Sequence, residues 1–134
     1  MNTVKKPNGN TLPRMELSKK PQTMGKHYIV EFYDCCSKTL NSVDKIQEIM
    51  LQAAVQSGAT IVEKKFHKFS PQGVSGIILI SESHLSIHTW PEFNYAAFDL
   101  FSCSSTLDSN FCINFLKEKL SSKSQTVKMI ERGF

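Results

Sequence analysis

Hydrophobic and polar positions recur along this chain with two different periods. Between Ser42 and Gly58 the apolar residues Ile46, Ile49, Met50, Ala53 and Ala54 fall at helical spacing. Ser42 stands as an N-cap, Asp44 lies in the first turn and Gly58 is a stop, so the segment predicts an amphipathic helix. A second helix begins after Asp108 and places Phe111, Cys112, Phe115, Leu116 and Leu120 on one side. Elsewhere the pattern is that of strands. HYIVEFYDC, from His27 to Cys35, is rich in β-branched and aromatic residues. ATIVEKKFHKFS alternates Ile61, Glu63 and Lys65 against Val62, Lys64 and Phe66, and GVSGIILIS is a short apolar run, with a turn predicted at Ser70-Pro71-Gln72-Gly73 between them. HLSIHTW and YAAFDLFSC flank a break at Pro91 to Asn94, and TVKMIER supplies a last strand.

The resulting order, β-α-β-β-β-β-α-β, predicts an α+β domain of two layers, an antiparallel sheet with helices on one face. Its other face would carry apolar residues that no helix is left to cover. Two protomers packed sheet to sheet, a homodimer forming a four-layer αββα sandwich, would complete the core.

Composition narrows the setting. The chain has 134 residues, enough for one domain with a real core, and is 40% hydrophobic and 21% charged. The apolar run Ile77 to Ile80 is far too short to span a bilayer, and the N-terminus has no signal-peptide pattern, so a cytoplasmic location is expected, with no membrane partner. The net charge of +4 lies in residues 1–23, where Lys5, Lys6, Arg14, Lys19 and Lys20 face Glu16 alone. Those residues also lack apolar periodicity, so they read as a solvated, disordered basic tail rather than a nucleic-acid arm, leaving residues 24–134 as the domain. Cys35, Cys36, Cys103 and Cys112 show no zinc spacing; all but Cys103 read as buried thiols.

Reactive side chains gather in SESHLSIHTWPE, Ser81 to Glu92. Strand alternation puts His84, Ser86, His88 and Trp90 on one face and Ser83, Leu85, Ile87 and Thr89 on the other. For Ser83 and His88 to share one site, the backbone would have to turn near Glu82 and Ser83. A polar surface strand is the plain alternative. A hydrolase lacks its GxSxG elbow. A metal site from His84, His88 and Glu92 would spread its ligands over about 27 Å of regular strand.

SESHLSIHTWPE, followed by YAAFDLFSC and preceded by GVSG, resembles S-adenosylmethionine decarboxylase proenzymes of the short bacterial and archaeal type. The resemblance runs from about Met24 to Arg132 and includes GKHYIVEFYDC, SGATIV, FHKFSPQGVSG and ERG. It implies self-cleavage between Glu82 and Ser83, giving a β chain of residues 1–82 and an α chain of residues 83–134. The hydroxyl of Ser83 would attack the preceding carbonyl to form an ester, and β-elimination would open the chain to a carboxylate at Glu82 and a dehydroalanine at position 83. Hydrolysis of that dehydroalanine, with loss of ammonia, would leave a pyruvoyl group at the new terminus. By the same resemblance His88 is the base for the elimination and Ser75 hydrogen-bonds the processing intermediate. The pyruvoyl group, the cofactor, would form a Schiff base with the substrate, and Cys103 would return a proton after carbon dioxide leaves. Imidazole titrates near neutrality and thiols are largely protonated there, as these roles require. Phe69 and Trp90 match positions that bind the adenine ring and sulfonium of S-adenosylmethionine, and Glu92 a carboxylate for the ribose hydroxyls. Taken alone, Ser75 reads as a turn serine, Phe69 and Trp90 as possible core, Glu92 as a solvated turn residue, and Glu31 and Asp99 as ion-pair or surface residues.

Asn94 stands where the family commonly has glycine, and Ser104 follows Cys103 where glycine is usual. The implied function is decarboxylation of S-adenosylmethionine for polyamine (spermidine) biosynthesis. One rival keeps the chemistry but acts on arginine or ornithine; another is a non-catalytic partner subunit.

Overall fold

The computed structural model describes residues 23–81 and 83–134. The predicted basic tail, apart from Thr23, and Glu82 lie outside the described residues. The elements run β1 (Gly25–Tyr33), α1 (Ser37–Leu40), α2 (Val43–Gln56), β2 (Ile61–Lys68), β3 (Val74–Ile80), β4 (Ser83–Trp90), a 3-10 turn (Pro91–Phe93), β5 (Tyr95–Ser102), α3 (Ser109–Lys119) and β6 (Ser124–Arg132). The six strands form one sheet in the order β2-β3-β4-β5-β1-β6, every neighbouring pair antiparallel. Hairpins join β2 to β5 in sequence order, whereas β1 and β6 are brought alongside β5 from the two ends of the domain.

One sheet face packs on the helices. Val30 and Phe32 of β1, Ile78 of β3, Leu85 and Ile87 of β4, and Phe98 and Leu100 of β5 meet Ile46, Met50, Ala53 and Ala54 of α2. Each large side chain so buried contributes on the order of 1.5–3 kcal/mol. The caps are those read from the sequence: the Ser42 side chain accepts from Lys45 N and the Asp108 side chain from Phe111 N. Thr89, buried among apolar residues, donates to the Leu40 carbonyl (2.8 Å) and accepts from Val74 N (2.9 Å), tying α1 to the sheet. α1 was not foreseen, because four residues are too few to show a period.

Two details differ from expectation. α3 buries Cys112, Ile113 and Leu116, while Phe111 is exposed and stacks on Phe115, so the covered stripe is centred one position later than the spacing suggested. Cys36 is exposed, not buried: it precedes α1 at the surface, and hydrogen bonds at Thr39 lower its pKa. Cys35 and Cys112 are buried as expected, and burial raises each to about 11.

Two glycines have identifiable reasons. A Cβ on Gly76 would lie 2.1 Å from the Phe66 ring, its cross-strand partner, and Gly73 holds φ of +104° in the turn before β3. Together they account for both glycines of the GVSG segment and its lead-in.

The opposite face carries no helix among the described residues. Ile29, Tyr33, Ile77, Leu79 and Ile130 are exposed there. They are interleaved with His27, Glu31, Ser75, His84, Ser86, His88 and Asp99, so this face is more polar than a plain sheet-to-sheet core.

Candidate active site

The residues singled out in the sequence divide into two groups at opposite ends of β4. At its C-terminal end, Ser75 of β3 and His88 are direct cross-strand partners, and Ser75 Oγ lies 2.8 Å from His88 Nδ1. Ser75 is therefore a strand residue, not a turn serine, and the sheet ladder fixes its geometry to the imidazole. His67 of β2 is the next partner across the sheet, and its ring meets that of Phe69 edge-on at 4.6 Å. A cleft of about 420 Å³ opens here, lined by Lys65, His67, Ser75, Ser86 and His88. Phe69 is 46% and Trp90 40% exposed, so neither is core. Trp90 rests on Tyr95 at 5.4 Å between ring centroids, and Tyr95 stacks on Tyr33 at 5.8 Å. Glu92 is exposed on the 3-10 turn that follows. The turn closes on Asn94, which adopts the left-handed conformation at φ 53°. Asn is among the few non-glycine residues that tolerate this, and its side-chain nitrogen donates to the Cys35 carbonyl, which explains its place where glycine is usual.

At the other end, Ser83 opens β4, paired with Ile80 on one side and Ser102 on the other. It is half-buried. Cys103 follows Ser102 directly and is exposed, beside a cleft of about 430 Å³ lined by Lys26, Tyr28, Ser102, Cys103 and Leu107. None of the four cysteines is in a disulfide.

The structure does not bring Ser83 and His88 together within one chain. β4 is paired from Ser83 onward, so no turn after Ser83 redirects it, and the two residues stand five positions apart with opposite parity. At about 3.4 Å per residue that is roughly 17 Å along the strand.

Comparison with known proteins interprets this arrangement. The family described as S-adenosylmethionine decarboxylase matches over residues 26–133. The chain belongs to the S-adenosylmethionine decarboxylase family. An S-adenosylmethionine decarboxylase proenzyme of Carboxydothermus hydrogenoformans is 50% identical over 110 residues, 82% of this chain and 87% of that one. The proenzyme of Thermosipho africanus is 51% identical over 110 residues, 82% of this chain and 83% of that one. The crystal structure of the adenosylmethionine decarboxylase of Aquifex aeolicus superposes with a TM-score of 0.79 at 27% identity, covering 85% of this chain and 94% of that one.

On the open face of this S-adenosylmethionine decarboxylase fold lies a polar network around Asp99 and Glu31, which the sequence offered as ion-pair or surface residues without naming their partners. Asp99 of β5 receives Ser86 on one oxygen and, 2.8 Å away on the other, His27 Nε2 of β1; His84 Nε2 stands 3.7 Å from that second oxygen. Burial raises the Asp99 pKa, but the hydrogen bonds of Ser86 and His27 and the nearby imidazoles outweigh it, leaving a net lowering. Arg132 Nη1 reaches His27 Nδ1 at 3.3 Å. Tyr95 donates to Glu31, and burial, reinforced by that carboxylate, pushes the phenol up to about 12. The cross-strand register would have found these pairs; sequence spacing does not, since His27 and Asp99 are 72 positions apart.

Proposed function

We propose that this chain cleaves itself between Glu82 and Ser83 and then decarboxylates S-adenosylmethionine, releasing carbon dioxide and supplying the decarboxylated product for polyamine synthesis. Cleavage would leave a β chain of residues 1–82 and an α chain of residues 83–134. The observation that carries the reading is a pair of half-sites at the two ends of β4: Ser83 paired with Ser102, which Cys103 follows, and Ser75 of β3 hydrogen-bonded to His88. The residues fit a pyruvoyl group made from Ser83, since that residue starts a strand at the sheet margin, half-buried, one ladder position from Ser102 and the thiol that follows it. Such a group supplies an electrophilic ketone for the substrate amine and a sink for the electrons left when carbon dioxide departs. Cys103 holds the proton that returns to the substrate carbon. Ser75 orients the imidazole of His88, which takes the α-proton of residue 83 during cleavage. Phe69 and Trp90 present exposed ring faces to the adenine and the sulfonium cation, and Glu92 accepts from the ribose hydroxyls.

The separation of the half-sites supports a homodimer. Two sheets stacked through their open faces, with the two β4 strands running in opposite directions, put the start of one β4 against the end of the other, twice by symmetry. His88 and Ser75 then lie across from the backbone at the start of the partner chain's β4, where the α-proton of residue 83 is taken, although the Ser83 side chain itself has the parity of the covered face. The exposed Ile29, Ile77, Leu79 and Ile130 become part of a four-layer αββα core. Among the described residues no helix is long and apolar enough to cross a membrane, and a reducing cytoplasm suits the exposed thiol of Cys36.

Mass spectrometry of the denatured protein tests the reading. Parent protein gives two fragments, the larger ending at Glu82, while Ser83→Ala gives one uncut chain without activity. Carbon dioxide release from S-adenosylmethionine, and none from arginine or ornithine, establishes the substrate; the reverse result overturns it.

A further inference from the structure

His84 becomes the first intact side chain behind the cut. If Ser83 is converted as proposed above, it keeps only a methyl group and loses the hydroxyl and amide nitrogen with which to hold its place, and the connection from β3 is severed. What then fixes the amide between residues 83 and 84 is the strand pairing and whatever grips His84. The side chain of His84 stands among three groups from neighbouring strands: Asp99, with 3.7 Å between Nε2 and Oδ2; the His27 ring, edge-on at 6.2 Å; and the Phe101 ring at 6.1 Å.

The protons in this cluster can be assigned. A guanidinium only donates, so Arg132 makes His27 Nδ1 an acceptor. The neutral ring then carries its hydrogen on Nε2 and donates it to Asp99 at 2.8 Å. The ligand-type atoms of His27, His84 and Asp99 lie within 4.8 Å of one another, as a metal would need. The Nε2 proton of His27 occupies the position of the lone pair that a metal would use. The cluster is therefore a chain of donors, Arg132 to His27 to Asp99, with Ser86 fixing the other carboxylate oxygen. Its open end points at His84.

We propose that Asp99, held by His27, Ser86 and Arg132, is a positioning residue that anchors His84 and so keeps the reactive terminus of the cut chain in register with Cys103. It rests on cleavage at Ser83, touches no reacting atom and acts only through His84. Asp99→Asn keeps the shape of the side chain but removes its charge. The expected result is normal fragment masses, a kcat lowered about tenfold and a KM within about twofold of the parent, since misplacement of a reacting group lowers the chemical step rather than ground-state binding. His84→Leu should match that loss, and His84→Gln, which restores a donor toward Asp99, should recover most of it. Unchanged kcat in both Asp99→Asn and His84→Leu would overturn the proposal, as would a loss carried by KM alone. If Asp99→Asn does not fold, the His84→Leu and His84→Gln pair decides. Fragment masses are read first: a parent not cut before Ser83 overturns the functional reading and this proposal with it, whereas a cut parent with indifferent variants overturns this proposal alone.

Discussion

On one face of β4, Leu85 and Ile87 are wholly buried and Thr89 spends its hydroxyl on two backbone groups. On the other, His84, Ser86, His88 and Trp90 all remain at least partly accessible. The covered face of β4 buries its apolar side chains and satisfies the Thr89 hydroxyl, so it specifies the fold. The open face holds imidazoles, a carboxylate and aromatic rings in cross-strand rows, none of them needed to bury the core. A single strand thus carries most of its stability on one side and, on the proposed reading, the His88 part of the chemistry on the other, and substitutions at Leu85 and His88 should separate the two.

The largest expected effect tests whether the open face works across two chains. Ser83→Ala and His88→Ala proteins are each uncut when made alone. Co-expressed, they form mixed dimers in which the intact Ser83 of one chain meets the intact His88 of the other. With random pairing, about half of the His88→Ala chains are then cut, and the Ser83→Ala chains never are. Mass spectrometry of the denatured mixture reads this directly. No cleavage in the mixture would place each site within one chain and remove the argument for opposed sheets.

The next contrast is in stability. Leu85→Ala removes a fully buried side chain and should cost about 2–5 kcal/mol in urea unfolding at neutral pH, with the cavity term setting the exact figure. His88→Ala, three positions along on the open face, loses one hydrogen bond to Ser75 and should cost about 1 kcal/mol or less while abolishing cleavage. Equal losses from the two would mean that the faces are not separable. Thr89→Val is intermediate. It keeps the shape but leaves the buried Val74 N–H without its partner, at about 1–3 kcal/mol.

The same division explains how much could be read in advance. α2 and the strands were legible because each buries one face and writes a period into the sequence, as Ile46, Met50, Ala53 and Ala54 do. The separation of Ser83 from His88 was legible too, in the parity of their positions. The expected turn is not seen after Ser83, where β4 is already paired, and in the proposed dimer a partner chain would offer another route to one site. Periodicity could not reveal which strands lie beside one another once β1 and β6 arrive from the two ends of the domain. The bond from Arg132 to His27 spans 105 positions and depends entirely on that order. α3 was misread by one position because Phe111 and Ile113 are both apolar and only packing chooses between them.

The smallest effect probes the network by pH. The folded pKa of Asp99 is lowered, so the charged carboxylate is favoured in the native state relative to the unfolded chain, where an aspartate titrates near 3.9. Its contribution to stability is fully present above that value and is lost as pH falls through the folded pKa. In Asp99→Asn this group no longer titrates. The parent should therefore lose stability more steeply than the variant as pH falls from about 4 to 2, while the two run parallel between about pH 5 and 6. Urea midpoints measured at each pH, at constant salt, separate the curves. Parallel acid limbs would mean that Ser86, His27 and His84 do not favour the charged form, and the carboxylate would then be a neighbour of the chemistry on the open face without holding any part of it.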